Sequence, residues 1–344
     1  MSHEYSFYND YSEGAHPRIL EALTKSNTTQ ESGYGEDSFS RDAANLIKDR
    51  IKNPDAAVHF VSGGTQANLI VLASMMKPFE AVIAAKTAHI NVHEAGAIEA
   101  TGHKVISVDS PDGKIKPDQI EQQVKQHSDE HMVRPNVVFV SDATEMGTVY
   151  TKKELEEVSK ICKKNNLHLY LDGARLGSAL TAKGSDISLS EVADLVDVFY
   201  IGGTKNGALL GEAVVINNPA LQADFRYYLK QHGALLAKGR VLGIQFLELF
   251  KDDLFFDLAR HANDMAGQLV DGIANQGHRF LAESPTNQIF PILPKSTIEK
   301  LKETYGFYVW SEVDATSSAV RLVTSWATPQ EAVDKFLANL RSAK

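Results

Sequence analysis

Three side chains able to do covalent or acid–base chemistry stand at the ends of two short apolar runs. Leu167-His168-Leu169-Tyr170-Leu171 stops at Asp172-Gly173-Ala174-Arg175, and Val196-Asp197-Val198-Phe199-Tyr200-Ile201 stops at Gly202-Gly203-Thr204-Lys205-Asn206. Both runs are rich in aromatic or β-branched residues, which predicts buried strands of a mainly parallel sheet. Ligands of such sheets sit at the carboxyl ends of the strands, so Asp172, Arg175 and Lys205 should share one crevice. An amine beside a carboxylate suits pyridoxal phosphate. The cofactor needs a lysine for a Schiff base and an acid to keep its pyridine nitrogen protonated, so that the ring can accept electrons. A structural buried ion pair would use the same two residue types.

Other stretches bear on that choice. Ser62-Gly63-Gly64-Thr65-Gln66-Ala67 falls between a strand, Ala57 to Val61, and an apolar helix, Asn68 to Met76. Glycines at such a junction let backbone amides approach an anion at the positive helix end, and Thr65 adds a hydroxyl. No Gly-Lys-Ser/Thr follows and the G-x-G-x-x-G spacing is missing, so neither a Walker loop nor a dinucleotide fold fits. His89 and His93 stand four apart, on one face if helical. A metal is disfavoured there, because two histidines need further ligands and the adjacent Glu94 should point off that face. Arg321, inside the apolar run Ala319-Val320-Arg321-Leu322-Val323, is costly unless it meets an anion. Its fork suits an α-carboxylate, and an internal carboxylate is the competing partner.

Asp172-Gly173-Ala174-Arg175 with Gly203-Thr204-Lys205-Asn206-Gly207 resembles the pyridoxal-phosphate threonine aldolase and aromatic amino acid β-eliminating lyase family. The likeness covers nearly the whole chain and is looser in the C-terminal quarter. It implies an aspartate-aminotransferase-like α/β fold (fold type I) and retro-aldol cleavage of a β-hydroxy-α-amino acid, of the L-threonine or L-allo-threonine type, to glycine and an aldehyde. By the same resemblance Lys205 holds the cofactor, with Thr204 beside it, and Gly63, Gly64 and Thr65 cradle the phosphate. Asp172 serves the pyridine nitrogen, His89 stacks on the ring, and Arg175 lies near the ring hydroxyl. Ser12 and Arg321, with Arg175, fix the substrate carboxylate. Tyr34 and Lys238 serve the phosphate across a subunit interface in a homo-oligomer, usually a dimer of dimers. Many family members carry Asn-Thr-His where this chain has Ala143-Thr144-Glu145, so Glu145 replaces a histidine that contacts the β-hydroxyl; a carboxylate can also take that proton. A branch with Ala-Thr-Glu is assigned to low-specificity aldolases. The competing expectations are β-elimination on a related amino acid, or a non-catalytic phosphate- or nucleotide-binding α/β protein.

The elements that would position these groups follow from length and pattern. A chain of 344 residues exceeds the usual single core, which predicts a large cofactor domain (1–250, with 1–16 folding over the site) and a smaller α+β domain (251–344). Further strands are expected at Glu80 to Ala85, Lys104 to Val108, Asn136 to Val140 and Glu212 to Ile216, alternating with helices. A capping box at Thr151 to Glu154 opens one of those helices. The C-terminal part should hold strands at Gln288 to Leu293, Phe307 to Trp310 and Ala319 to Val323, and a last helix from Pro329 to Leu340. Composition, with 43% hydrophobic and 23% charged residues, is that of a globular protein, and a net charge of −9 argues against nucleic acid. One cysteine, Cys162, points to a reducing cytoplasm. Met1 to Tyr5 lacks the features of a signal peptide, and no run is long enough to span a bilayer.

Overall fold

The structure, a computed structural model, describes residues 3–343. Seven strands form its central sheet: β1 (Ala57–Val61), β2 (Glu80–Ala85), β3 (Lys104–Val108), β4 (Arg134–Ser141), β5 (His168–Asp172), β6 (Val198–Gly202) and β7 (Glu212–Ile216). Their order is β1-β7-β6-β5-β4-β2-β3. Only β7 runs antiparallel to its neighbours; the remaining pairs are parallel. The sequence expectation of an α/β, mainly parallel architecture therefore holds. Strands β2, β6 and β7 are buried along their whole length. They read as continuous apolar runs because helices cover both sheet faces.

The carboxyl ends of β1, β2, β4, β5 and β6 lie along one edge. Between β5 and β6 the chain can turn only because glycines stand there. A Cβ on Gly173 would lie 1.9 Å from the Tyr200 carbonyl oxygen, and one on Gly202 would lie 2.3 Å from that of Ala174. Gly202 N–H donates to Gly173 O at 2.9 Å. This close crossing sets the loop bearing Lys205 against the end of β5 that bears Asp172.

A second, antiparallel sheet comprises β8 (Gln288–Ile289), β9 (Ile292–Pro294), β10 (Tyr308–Glu312) and β11 (Ser317–Val323), with β11 pairing all three others. The single strand expected over Gln288 to Leu293 is thus two. Pro291 has no N–H to give to the ladder, although its carbonyl accepts from Val320 N at 2.9 Å. A helix at Lys295–Lys302 lies where the sequence reading assigned no element. The helix expected from Asn68 begins at Gly64, since Gly63 caps it in an extended conformation.

Two apolar cores result. One holds the central sheet; the other gathers Phe7, Ile289, Leu293, Tyr305, Val320, Leu322, Phe336 and Leu340 around the small sheet. The helix Leu254–Asn275 serves both, giving Leu254, Phe255 and Leu258 to the first and Met265, Leu269 and Ile273 to the second. The N-terminal segment is pinned to the second core by Phe7. Phe7 N donates to Gly306 O at 2.7 Å, and Val323 N donates to Phe7 O at 2.9 Å. That leaves residues 8–13 running on toward the end of β5.

Candidate active site

Lys205 follows β6, and its amine carries no hydrogen bond or ion pair among the described residues. Burial first, and then the nearby Arg175 charge, pull its pKa below the ordinary lysine value; Asp10, Asp172 and Glu212 oppose this. A depressed pKa favours the neutral, nucleophilic amine. Glu212 opens β7, where its Oε2 accepts Gly203 N–H at 2.9 Å. Burial pushes this carboxyl up to about 7, with Lys205 holding it down. Thr204 Oγ1 accepts Gly211 N–H at 3.0 Å and so closes the lysine loop.

Asp172, at the end of β5, is buried and held by three donors. Oδ1 accepts from Tyr200 Oη at 2.5 Å and Ala174 N at 3.0 Å, and Oδ2 accepts from Asn68 Nδ2 at 3.1 Å. Two tyrosines, Tyr200 and Tyr170, therefore line up behind it as donors, Tyr170 Oη giving to Asn68 Oδ1 at 2.8 Å. Gly64 brings the start of its helix against the same cluster: a Cβ there would lie 3.1 Å from Tyr200 Oη. A Cβ on Gly63 would meet nothing within 4 Å, so that side of the helix start is open. Thr65 beside it is exposed.

His89 and Glu145 face each other after β2 and β4. Glu145 Oε1 accepts His89 N–H at 2.9 Å and Ser141 Oγ–H at 3.1 Å, while its Oε2 is buried without a partner. Burial, then the Asp172 charge, raise the Glu145 pKa. The expectation that Glu94 points away from His89 is overturned: His89 Nδ1 and Glu94 Oε1 are 2.7 Å apart. The helix here is a single turn, His89–Val92, and Ala95 and Gly96 have left-handed φ of 52° and 73°. The chain doubles back, and Glu94 comes to lie beside the ring instead of continuing a helical face. His93 is exposed, its ring centroid 5.5 Å from that of His89. Among the described residues no group of three histidines, cysteines or acids could hold a metal ion.

Two arginines complete the edge. Arg175 Nε and Nη2 donate to Asp10 at 2.7 and 3.0 Å. Among the described residues Arg321, on β11, has no carboxylate partner. Its Nη2 lies 3.5 Å from Tyr8 O, its buried Nε has no acceptor, and its guanidinium sits over the rings of Tyr308 and Trp310 at 5.3 and 5.5 Å. Burial first, and then the Arg175 charge, lower its pKa. Ser12 is exposed and donates to Asn9 Oδ1 at 3.0 Å.

The edge thus gathers Gly63, Gly64, His89, Glu145, Asp172, Arg175 and Lys205. Tyr34 and Lys238 lie elsewhere, on two surface loops joined by Tyr34 N–H to Ala237 O at 3.2 Å. Tyr34 instead packs under Lys230 Nζ, 4.8 Å from its ring centroid. Sequence reasoning missed Asp10, Asn68, Glu94, Tyr200 and Glu212. The signals were faint: one amide in an apolar helix, one acid opening an apolar strand, and one acid in a polar turn.

These residues fit pyridoxal phosphate. A half-buried amine with no hydrogen bond among the described residues lies near a carboxylate held by three donors with one oxygen singly bonded. An open glycine-lined helix start could take a phosphate, and an arginine without a carboxylate among the described residues could take one.

A family model described as beta-eliminating lyase matches residues 12–295. A low specificity L-threonine aldolase of Pseudomonas aeruginosa is 33% identical over 344 residues, with 98% of each chain covered. Among solved structures, a threonine aldolase of Leishmania major is 48% identical with a TM-score of 0.97, covering 99% of this chain and 100% of that one. Aspartate aminotransferase of Thermus thermophilus, 16% identical with a TM-score of 0.72 over 99% of this chain and 92% of its own, shares the fold.

Proposed function

The chain belongs to the beta-eliminating lyase family, with the aspartate-aminotransferase-like fold (fold type I), and from that premise we propose a pyridoxal-phosphate-dependent aldolase. It cleaves β-hydroxy-α-amino acids of the L-threonine or L-allo-threonine type to glycine and an aldehyde. The observation that carries this reading is the half-buried Lys205 amine, its pKa drawn down by burial and by Arg175, on the loop beside Asp172, which three donors hold in place.

When bound, the cofactor supplies an aldehyde carbon for amines and a protonated ring able to accept an electron pair from Cα. Lys205 would hold it through its amine, and Asp172 would keep the proton on the ring nitrogen, its own geometry fixed by Tyr200, Ala174 and Asn68. Gly63, Gly64 and Thr65 would receive the phosphate at the helix start. Arg321 would grip the substrate α-carboxylate, with Ser12 swinging from Asn9 to assist. This grip orients the Cα–Cβ bond for cleavage. His89 or Glu145, or a water between them, takes the β-hydroxyl proton. The Cα–Cβ pair then stays with Cα, the aldehyde departs, and Cα gains a proton to become glycine.

The same reading has the chain act in the cytoplasm as a homo-oligomer, a dimer of dimers, in which Tyr34 and Lys238 serve the neighbouring subunit's phosphate. Incubation with L-threonine should yield acetaldehyde and glycine in equal amounts, and Lys205→Ala should abolish both products. An α-keto acid with ammonia would mark the β-eliminating alternative. A protein that takes up no cofactor and shows no absorbance near the visible edge would mark a binding module.

A further inference from the structure

Behind His89 the structure holds a connected set of buried polar groups that the cleavage steps do not use. The Glu94 side chain is fully buried. One of its oxygens, Oε1, meets both His89 Nδ1 and Asn68 Nδ2 at 2.7 Å. The same Asn68 nitrogen reaches Asp172 Oδ2 at 3.1 Å, while Tyr170 Oη donates to Asn68 Oδ1 at 2.8 Å. The amide is thereby oriented. Its two N–H groups fork between two carboxylates, and its oxygen turns to the one hydroxyl donor, since the reverse orientation would set an acceptor against two acceptors.

We propose that Glu94 and Asn68 are positioning residues that fix the His89 ring with its proton on Nδ1 and couple it to Asp172. An ionised Glu94 offers Oε1 only as an acceptor, and with that carboxylate the neutral ring carries its hydrogen on Nδ1 and its lone pair on Nε2. The ring is then held in one tautomer and one orientation, with Nε2 as the atom able to take or return a proton. The bridge Asp172–Asn68–Glu94–His89 also makes the ring-nitrogen acid and the imidazole one mechanical unit. Either group can shift only if the Asn68 amide shifts with it. Packing alone gives no reason for this arrangement. Glu94 Oε2 is buried without a partner, and a leucine there would avoid burying an unsatisfied oxygen. The consequence for turnover rests on the reading of His89 given above; the tautomer assignment does not.

The test has two arms. In the first, the protein is labelled with 15N-histidine, and the His89 signal is assigned by difference against His89→Asn. At pH 8 the wild-type ring should show its proton on Nδ1. Glu94→Gln, which can present either an oxygen or an N–H, should admit the Nε2-protonated form. In the second arm, steady-state cleavage of L-threonine by Glu94→Gln should fall roughly a hundredfold in kcat, the scale of losing a correctly presented base. KM should change little, because Arg321 holds the carboxylate independently. Circular dichroism checks folding; should Glu94→Gln fail to fold, Asn68→Ser is read in the same two ways. A wild-type ring protonated on Nε2, or variants with unaltered tautomer and kcat, overturns the proposal. If the wild type cleaves no threonine, the function falls, and the first arm still decides the tautomer.

Discussion

Two arginines stand near enough for the charge of Arg175 to lower the pKa of Arg321, and their surroundings differ sharply. Arg175, at the end of β5 in the large sheet, has two of its nitrogens bonded to the two oxygens of Asp10, which is itself bonded by Asn287 Nδ2 at 2.9 Å. Asn287 in turn donates to Thr324 O at 2.8 Å, so this pair ties the N-terminal segment to both cores. Arg321, on the small sheet, keeps its full charge with two aromatic faces and one distant carbonyl as neighbours. A buried pair holds a fold together, whereas an unpaired cation in a cleft is costly until an anion arrives. The contrast sets Arg175 in a bonded pair and makes Arg321 the arginine we propose for the substrate carboxylate.

The largest effect that could break this division is on stability. Arg175→Ala leaves Asp10 buried without its bidentate partner, and breaking such a pair from one side costs about 3–5 kcal/mol, less whatever Asn287 and Lys205 retain. Denaturant unfolding of the two single variants measures it. Arg321→Ala should lose less than about 1 kcal/mol, having no partner to strand. Equal losses would end the comparison. The next effect is on binding: Arg321→Ala should reduce kcat/KM for an amino acid substrate by about 2–5 kcal/mol, as expected when a buried carboxylate loses its cation. Unchanged kinetics would remove Arg321 from the site.

Acidity separates the two further. Burial would raise the Asp10 pKa, but the Arg175 and Lys205 charges and the bonds from Arg175 and Asn287 outweigh it and leave it below the ordinary value. A depressed folded pKa gives stability that is present above the unfolded value, about 3.9, and lost as pH falls through the folded one. In Arg175→Ala the Lys205 charge and the Asn287 bond still oppose burial, but the larger downward pull is gone, so the folded Asp10 pKa rises and less of this high-pH stability is kept. The stability gap between wild type and Arg175→Ala should therefore widen from pH 4 to pH 8. The gap for Arg321→Ala should stay flat. Thermal unfolding across that range tests both.

Sequence reading reached different depths in these two regions. The strands of the large sheet were legible because full burial writes a continuous apolar run, and Asp172 and Lys205 ended such runs conspicuously. Arg321 was legible for the same reason, as one charge in an apolar strand. Asp10 was not. It sits in Tyr8-Asn9-Asp10-Tyr11, a polar segment whose local meaning is a turn, and its partner lies 165 positions along the chain. Glu94 was misread because its direction depends on two left-handed residues, Ala95 and Gly96, and helical spacing cannot foresee such a reversal. The break at Pro291 could have been read from the proline itself. The strands Phe307 to Trp310 and Ala319 to Val323 came out within two residues of their ends, at Tyr308–Glu312 and Ser317–Val323.

The smallest effect probes how Arg321 is kept ready without a carboxylate. Its guanidinium rests over Tyr308 at 5.3 Å and Trp310 at 5.5 Å, and Tyr8 packs against Tyr308 with centroids 3.7 Å apart and planes tilted by 39°. Trp310 also packs edge-on against Phe290 at 5.2 Å, so replacing it would disturb the small-sheet core as well as the cation. Tyr308 is the cleaner probe, being exposed on β10. A cation over an exposed ring gains about 0.5–1 kcal/mol, so Tyr308→Leu should raise KM about two- to fivefold with kcat and unfolding midpoint nearly unchanged. Tyr308→Phe keeps the ring face and should bind as the wild type does. If the leucine variant binds substrate normally, the ring only fills space, and Arg321 is oriented by its own strand; if the phenylalanine variant loses as much as leucine, the hydroxyl is the contact that matters.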